Sequence, residues 1–206
     1  RFNPNLTQSW FGSVMELINN ITMLAIILTG SALIREREHG TLEHLLVMPV
    51  TAFEIMVSKI WSMGLVVLLA SGMSLTFVIQ GLLKVPVEGS VLLFLAGTAL
   101  HLFAVTSMGI FLATIAQNMP QLGMLLILVL MPMQMLSGGM TPRESMPEIV
   151  RTVMMIAPTT HFVEFSQAIL YRGAGMEVVW RPFLWIAGIG VTLFLITLAR
   201  FRKTVT

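Results

Sequence analysis

Five long apolar runs follow one another along this chain of 206 residues, and no other feature constrains its fold as strongly. A helix rises about 1.5 Å per residue, so roughly 20 apolar residues cross about 30 Å of hydrocarbon. The runs cover about 14–34, 55–79, 91–115, 118–138 and 183–199. Glu16, Asn19 and Asn20 crowd one end of the first, which places that end at an interface. Lys59 and Trp61 open the second, where a snorkelling cation and a belt aromatic belong. The fourth is the weakest. Its apolar part, Leu122 to Leu136, contains Pro132 and must borrow Asn118 to Gln121 and Ser137–Gly138 to complete a crossing. The fifth closes on Arg200, Arg202 and Lys203. The pattern predicts an all-α, polytopic membrane protein with five transmembrane helices.

Composition agrees. Hydrophobic residues make up 56% and charged residues 11%, against about a quarter charged in soluble domains. There is no cysteine, which excludes disulfides and thiolate metal sites. With no aspartate and a net charge of only +2, a nucleic-acid surface is not expected. The 17 methionines read as adaptable apolar filler between helices.

Enzymatic signatures are missing. There is no Gly-x-x-x-x-Gly-Lys-Ser/Thr loop to cradle ATP phosphates, no His-Glu-x-x-His and no Gly-x-Ser-x-Gly. No catalytic residues and no metal site are assigned. Among polar side chains only His101 and Gln134 lie deep in the runs, too few for an intramembrane protease or transferase. Either could instead be a functional group by virtue of its position. For His101, a neutral ring bonded to a neighbouring helix is the simpler reading. A secondary transporter would want an ion-coupling carboxylate in mid-span, which none of the glutamates supplies convincingly. A purely structural scaffold leaves the charged block described next without a purpose.

That block is Arg35 to Thr51. Arg35, Glu36, Arg37, Glu38 and Glu43 place charges of both signs between two apolar runs, where they must sit in water. Gly40–Thr41 begins a short helix, about 41–48, that Pro49 discourages from continuing. Thr51-Ala52-Phe53-Glu54 is a capping box that starts the next helix. A salt-bridged juxtamembrane turn would explain the block, as would a docking element for a soluble partner. A second punctuated region spans 137–175. Gly138–Gly139 breaks the fourth run, and Thr141-Pro142-Arg143-Glu144 is a helix start with proline at N1. Ser145-Met146-Pro147-Glu148 offers another. The apolar patches 149–156 and 162–170 are too short to span, so an outer hairpin, about 139–175, either dips into the membrane or caps it. Glu164 lies among Phe162, Phe165 and Ile169, which suggests a partly buried charge partnered by Arg172 or Arg151.

Lys and Arg counts on alternate sides tie. The cations clustered at span ends, Arg35, Arg37, Arg200, Arg202 and Lys203, favour a cytoplasmic carboxyl end.

Residues 36–43, Glu-Arg-Glu-His-Gly-Thr-Leu-Glu, followed by Leu45 and Pro49, resemble the hallmark of ABC-2 type permeases, the membrane subunits of one class of ATP-binding-cassette exporters. Arg1-Phe2-Asn3-Pro4 resembles the external segment before the second span in the drug-exporter-like branch. Ser137–Gly138 with Pro142, Ala157-Pro158-Thr159-Thr160-His161-Phe162 and Tyr171-Arg172-Gly173 resemble the external hairpin before the last span. The resemblance implies a six-span permease of which this chain is the carboxyl-terminal five-span portion, residues 1–13 closing an external domain and 14–206 forming the transmembrane domain. It implies that Arg35, Glu36, Arg37, Glu38, Gly40, Thr41, Leu42, Glu43, Leu45 and Pro49 belong to an ATPase-coupling element. It further implies a cytoplasmic ATPase subunit or domain that carries ATP and Mg, and a second permease half. The expected location is the bacterial inner membrane. Gly138, Gly139, Pro142, Pro158, Glu164 and Arg172 are then candidates for an outer gate. No cofactor is expected on this chain.

Overall fold

The computed structural model describes residues 8–40, 51–85, 87–139 and 145–205. Every regular element among them is helical. In chain order these are α1 (Gln8–Glu38), α2 (Ala52–Met73) continued by a π-helix (Ser74–Leu82), α3 (Val91–Ile115), α4 (Met119–Leu136), α5 (Glu148–Met154), α6 (Pro158–Arg172) and α7 (Met176–Val205). Five helical stretches among the described residues are long and apolar enough to cross a membrane: Gly12–Glu38, Ala52–Leu82, Val91–Ile115, Met119–Leu136 and Met176–Arg202. They are the five apolar runs, most of them extended at their ends. Charged and polar residues continue the helices past the apolar core of the first, second and fifth runs, because interfacial side chains do not interrupt backbone hydrogen bonding. Pro132 and Pro182 both sit inside continuous helices, so neither ends a span.

Local signals set the helix starts. Thr51 and Glu54 form the full capping box, Thr51 N–H donating to Glu54 Oε2 at 2.7 Å and Glu54 N–H to Thr51 Oγ1 at 3.3 Å. Ser90 caps α3, its hydroxyl accepting from the Leu93 amide at 3.3 Å. Asn118 caps α4 through the Gln121 amide at 2.9 Å. Ser145 does not cap α5, which begins after Pro147 without a side-chain cap.

α3 is the axis of the bundle. It packs against α7, α1, α2, α6 and α4. Its hydroxyls, Thr98, Thr106 and Ser107, donate to carbonyls three or four residues back in the same helix, which satisfies them in an apolar surround. The α1–α3 crossing is close because Gly109 has no side chain. A Cβ there would lie 2.8 Å from the Ile26 carbonyl oxygen, the small-residue contact that lets membrane helices approach.

The α5–α6 hairpin enters this bundle part-way. Phe162, near the start of α6, stacks on His101 at 4.0 Å between ring centres. His101 stands ten residues, about 15 Å, along α3. From there α6 climbs back: Phe165 lies over Gly97, and Leu170 accepts a hydrogen bond from the Glu88 amide at 3.3 Å. The hairpin is therefore re-entrant relative to the spans, and α6 is buried along almost its whole length.

Candidate functional site

The charged end of α1 is built into the bundle. Glu36 forms an ion pair with Lys59 of α2. Arg37 Nη1 donates to the carbonyl oxygen of Ala116 at 2.8 Å, just past the last residue of α3. Glu38 Oε1 accepts from the amide of Met119, the first residue of α4, at 3.1 Å. Three consecutive side chains thus hold α2 and both sides of the α3–α4 turn. The chemistry suits the places. The last carbonyls of α3 and the first amides of α4 have no partner inside their own helices, and Arg37 and Glu38 each answer one of them with a charged group. The same end receives α7: Arg200 Nε donates to Thr114 Oγ1 at 3.0 Å, with its guanidinium 5.8 Å from the Phe111 ring centre.

This clamp of Glu36, Arg37 and Glu38 stands directly before the Gly40–Thr41 motif. Arg35 is exposed, and its carbonyl accepts the His39 amide at 3.0 Å. Gly40 follows at φ 68°, a left-handed helix end that glycine reaches without strain. Thr41, Leu42, Glu43, Leu45, Pro49 and Pro142 lie outside the described residues.

The remaining candidates fall at the end opposite the clamp or in mid-bundle. Gly138, at φ 95°, follows the end of α4, and Gly139 is buried against the methyl of Met15. Pro158 is the first residue of α6 and is buried. Glu164 is exposed on the single chain, whereas its neighbours Phe162, Phe165 and Ile169 are buried. Arg172, also exposed, closes α6 before the left-handed Gly173. His101 is fully buried and within 2.9 Å of Thr22 Oγ1 on α1, the bond between neighbouring helices that a buried histidine calls for. Gln134 is half-buried in the last turn of α4. No group of three or more His, Cys, Asp or Glu among the described residues could hold a metal.

Sequence reasoning missed the partners of the clamp. Arg37 and Ala116 are 79 residues apart and Glu38 and Met119 are 81 apart, and two of these partner groups are backbone. Only Lys59 carried a signal, as a lone cation at the start of an apolar run.

Comparison with known proteins bears on the whole chain. The family model described as ABC-2 type transporter matches residues 3–171. The inner membrane transport permease YhhJ of Escherichia coli strain K12 is 68% identical over 205 residues, covering 100% of this chain and 55% of the relative. The probable multidrug ABC transporter permease YbhR of the same strain is 29% identical over 205 residues, with 99% and 55% covered. A further probable multidrug permease of that strain, YbhS, is 29% identical over 176 residues, with 84% and 46% covered. The chain spans about half the length of the curated relatives it matches. The match to the family model over most of its residues establishes that the chain belongs to the ABC-2 type transporter family.

Proposed function

We propose that this chain is the larger part of a membrane-spanning permease half in an ATP-driven exporter. Its charged end faces the cytoplasm, together with the carboxyl terminus, and residues 41–48 form a coupling helix seated on an ATPase that carries ATP and Mg. A second permease half completes the pathway, and the bacterial inner membrane is the site of action. The relatives' names, an inner membrane transport permease and a probable multidrug ABC transporter permease, support the location and a drug-like substrate, for which a hydrophobic or amphipathic character is our reading.

One observation carries the reading: the helix that delivers the chain into 41–48 is fastened to α2 and to the α3–α4 turn by Glu36, Arg37 and Glu38. A load applied to 41–48 would reach three spans at once through rigid helices and charged hydrogen bonds. That is the mechanical requirement of a permease driven from outside the bilayer, and an isolated juxtamembrane turn has no need of it. The gate side is supported by depth. Glu164 is exposed only two residues beyond Phe162, which stacks on mid-span His101. A carboxylate at that level does not face lipid; it faces water or a partner chain. The hairpin would therefore border the path between the two halves.

Two experiments test this reading. Replacing 41–49 with a Gly/Ser linker in the full-length protein should abolish co-purification of the ATPase while the permease still reaches the membrane. Retention of the ATPase would refute coupling through this segment. Orientation is tested by single cysteines, which the native chain lacks. An impermeant thiol reagent added outside cells should label Glu88→Cys and Glu148→Cys but not His39→Cys or Arg202→Cys. All four positions are exposed, so the reverse pattern would invert the topology.

A further inference from the structure

A cleft of about 420 Å³ lies between the first half of α1 and the final stretch of α2 with its π-helix. Its walls are apolar, with Leu17, Ile21 and Leu24 on α1 facing Val67, Val78 and Leu83. At its mouth stand Glu16 and Asn20, the Asn20 amide donating to Glu16 Oε1 at 3.2 Å. Glu16 precedes Glu38 by 22 residues on one unbroken helix, about 33 Å, so it occupies the hydrocarbon boundary opposite the clamp. Leu24 lies eight residues further in, roughly 12 Å deeper.

The π-helix makes the far wall. Ser74 and Leu83 both line the cleft although nine residues separate them. Nine residues of α-helix make about two and a half turns and would put Leu83 on the opposite side. At ~4.4 residues per π-turn they make about two full turns, and the two share a face. Leu82 is correspondingly turned outward, 77% exposed. The π-segment thus creates the wall of a cleft that has a carboxylate at its mouth.

We propose that this cleft binds a monovalent amphipathic organic cation, with its charged head against Glu16 and Asn20 and its apolar body between α1 and the π-helix. The assignment rests on the exporter reading and names its substrate class. The volume suits a drug-sized ligand. One carboxylate supplies too few oxygens for a calcium or magnesium ion. Among the described residues no lysine or arginine lines the cleft; Lys84, next to Leu83, stands outside the lining and is exposed. A phosphate-bearing lipid would therefore place its anion beside Glu16 with no counter-charge in the cleft, so an organic cation is the better match.

The test uses the full-length permease in nanodiscs with its ATPase. Equilibrium binding is measured for tetraphenylphosphonium and for neutral triphenylphosphine oxide. Glu16→Gln should weaken tetraphenylphosphonium about tenfold and leave the neutral compound unchanged, since only the charge contact is lost. Glu16→Asp should restore most of the cation affinity. Ala70→Trp, which fills the cleft from α2, should weaken both compounds. Cation binding unaffected by Glu16→Gln, equal losses for both compounds, or indifference to Ala70→Trp would overturn the proposal; the last would mean another segment of the protein occupies the cleft. Stimulation of the ATPase by tetraphenylphosphonium separates the two readings. Glu16-dependent binding without any stimulation leaves the site standing and refutes the exporter reading. Stimulation that persists in Glu16→Gln and Ala70→Trp refutes the site alone.

Discussion

Gly97→Ala, the addition of a single methyl group, should be among the most damaging substitutions in this chain. Gly97 lies in α3 with the Phe165 ring directly over it, and a Cβ built there would fall 2.0 Å from two ring carbons. The ring has nowhere to go, because Phe165 is fully buried and packs against Phe183. Overpacking of this kind costs about 1–3 kcal/mol. The upper end corresponds to a fall of roughly 6–12 °C in thermal midpoint for a chain of this size. Because α6 is held against α3 through this contact, the hairpin should loosen first. Phe165→Leu added to Gly97→Ala should recover most of the loss by removing the ring. Gly123→Ala, where nothing lies within 4 Å of the added atom, is the control and should be neutral or slightly stabilising through helix propensity. Thermal unfolding of the purified protein decides the matter: equal midpoints for Gly97→Ala and Gly123→Ala would contradict the close fit of α6 on α3.

The five spans were legible in the sequence because hydropathy over twenty residues is a strong signal and each run carried one. Helix starts were nearly as clear where a side chain announces them, as Thr51 with Glu54 does. Two features were not legible. The π-helix has no marker in Ser74–Leu82, an apolar stretch that would read the same as ordinary α-helix. The clamp was half visible. Charges of both signs after Ile34 marked out a block that must sit outside the hydrocarbon, but the signal said nothing of where each charge goes. Arg37 and Glu38 bind backbone groups at the end of α3 and the start of α4, and a backbone group leaves no trace in a residue pattern. Glu164 shows a different limit. Its apolar neighbours suggested a buried charge, yet it is the neighbours that are buried while Glu164 itself is exposed. On a single turn of helix, sequence proximity does not fix which side faces the core.

Arg37→Met should separate docking from transmission. Methionine keeps an apolar stem of similar reach and removes the guanidinium, so the Ala116 carbonyl loses its donor and α1 loses its hold on the end of α3. Glu38 still holds Met119 and Glu36 still holds Lys59, so the bundle should assemble and reach the membrane. If the load from the ATPase travels through this turn, substrate-stimulated ATP hydrolysis should fall by at least about fivefold, the lower end of typical coupling between sites. The ATPase should still co-purify if it docks on 41–49, because that segment is untouched. That combination distinguishes the clamp from the proposed docking segment 41–49, whose replacement should lose the ATPase altogether. Arg37→Lys should be intermediate, since it restores a donor and a charge but lacks the planar fork of the guanidinium. Normal stimulation and normal export in Arg37→Met would show that force reaches the spans by another route, and would reduce the contact with Ala116 to a helix cap.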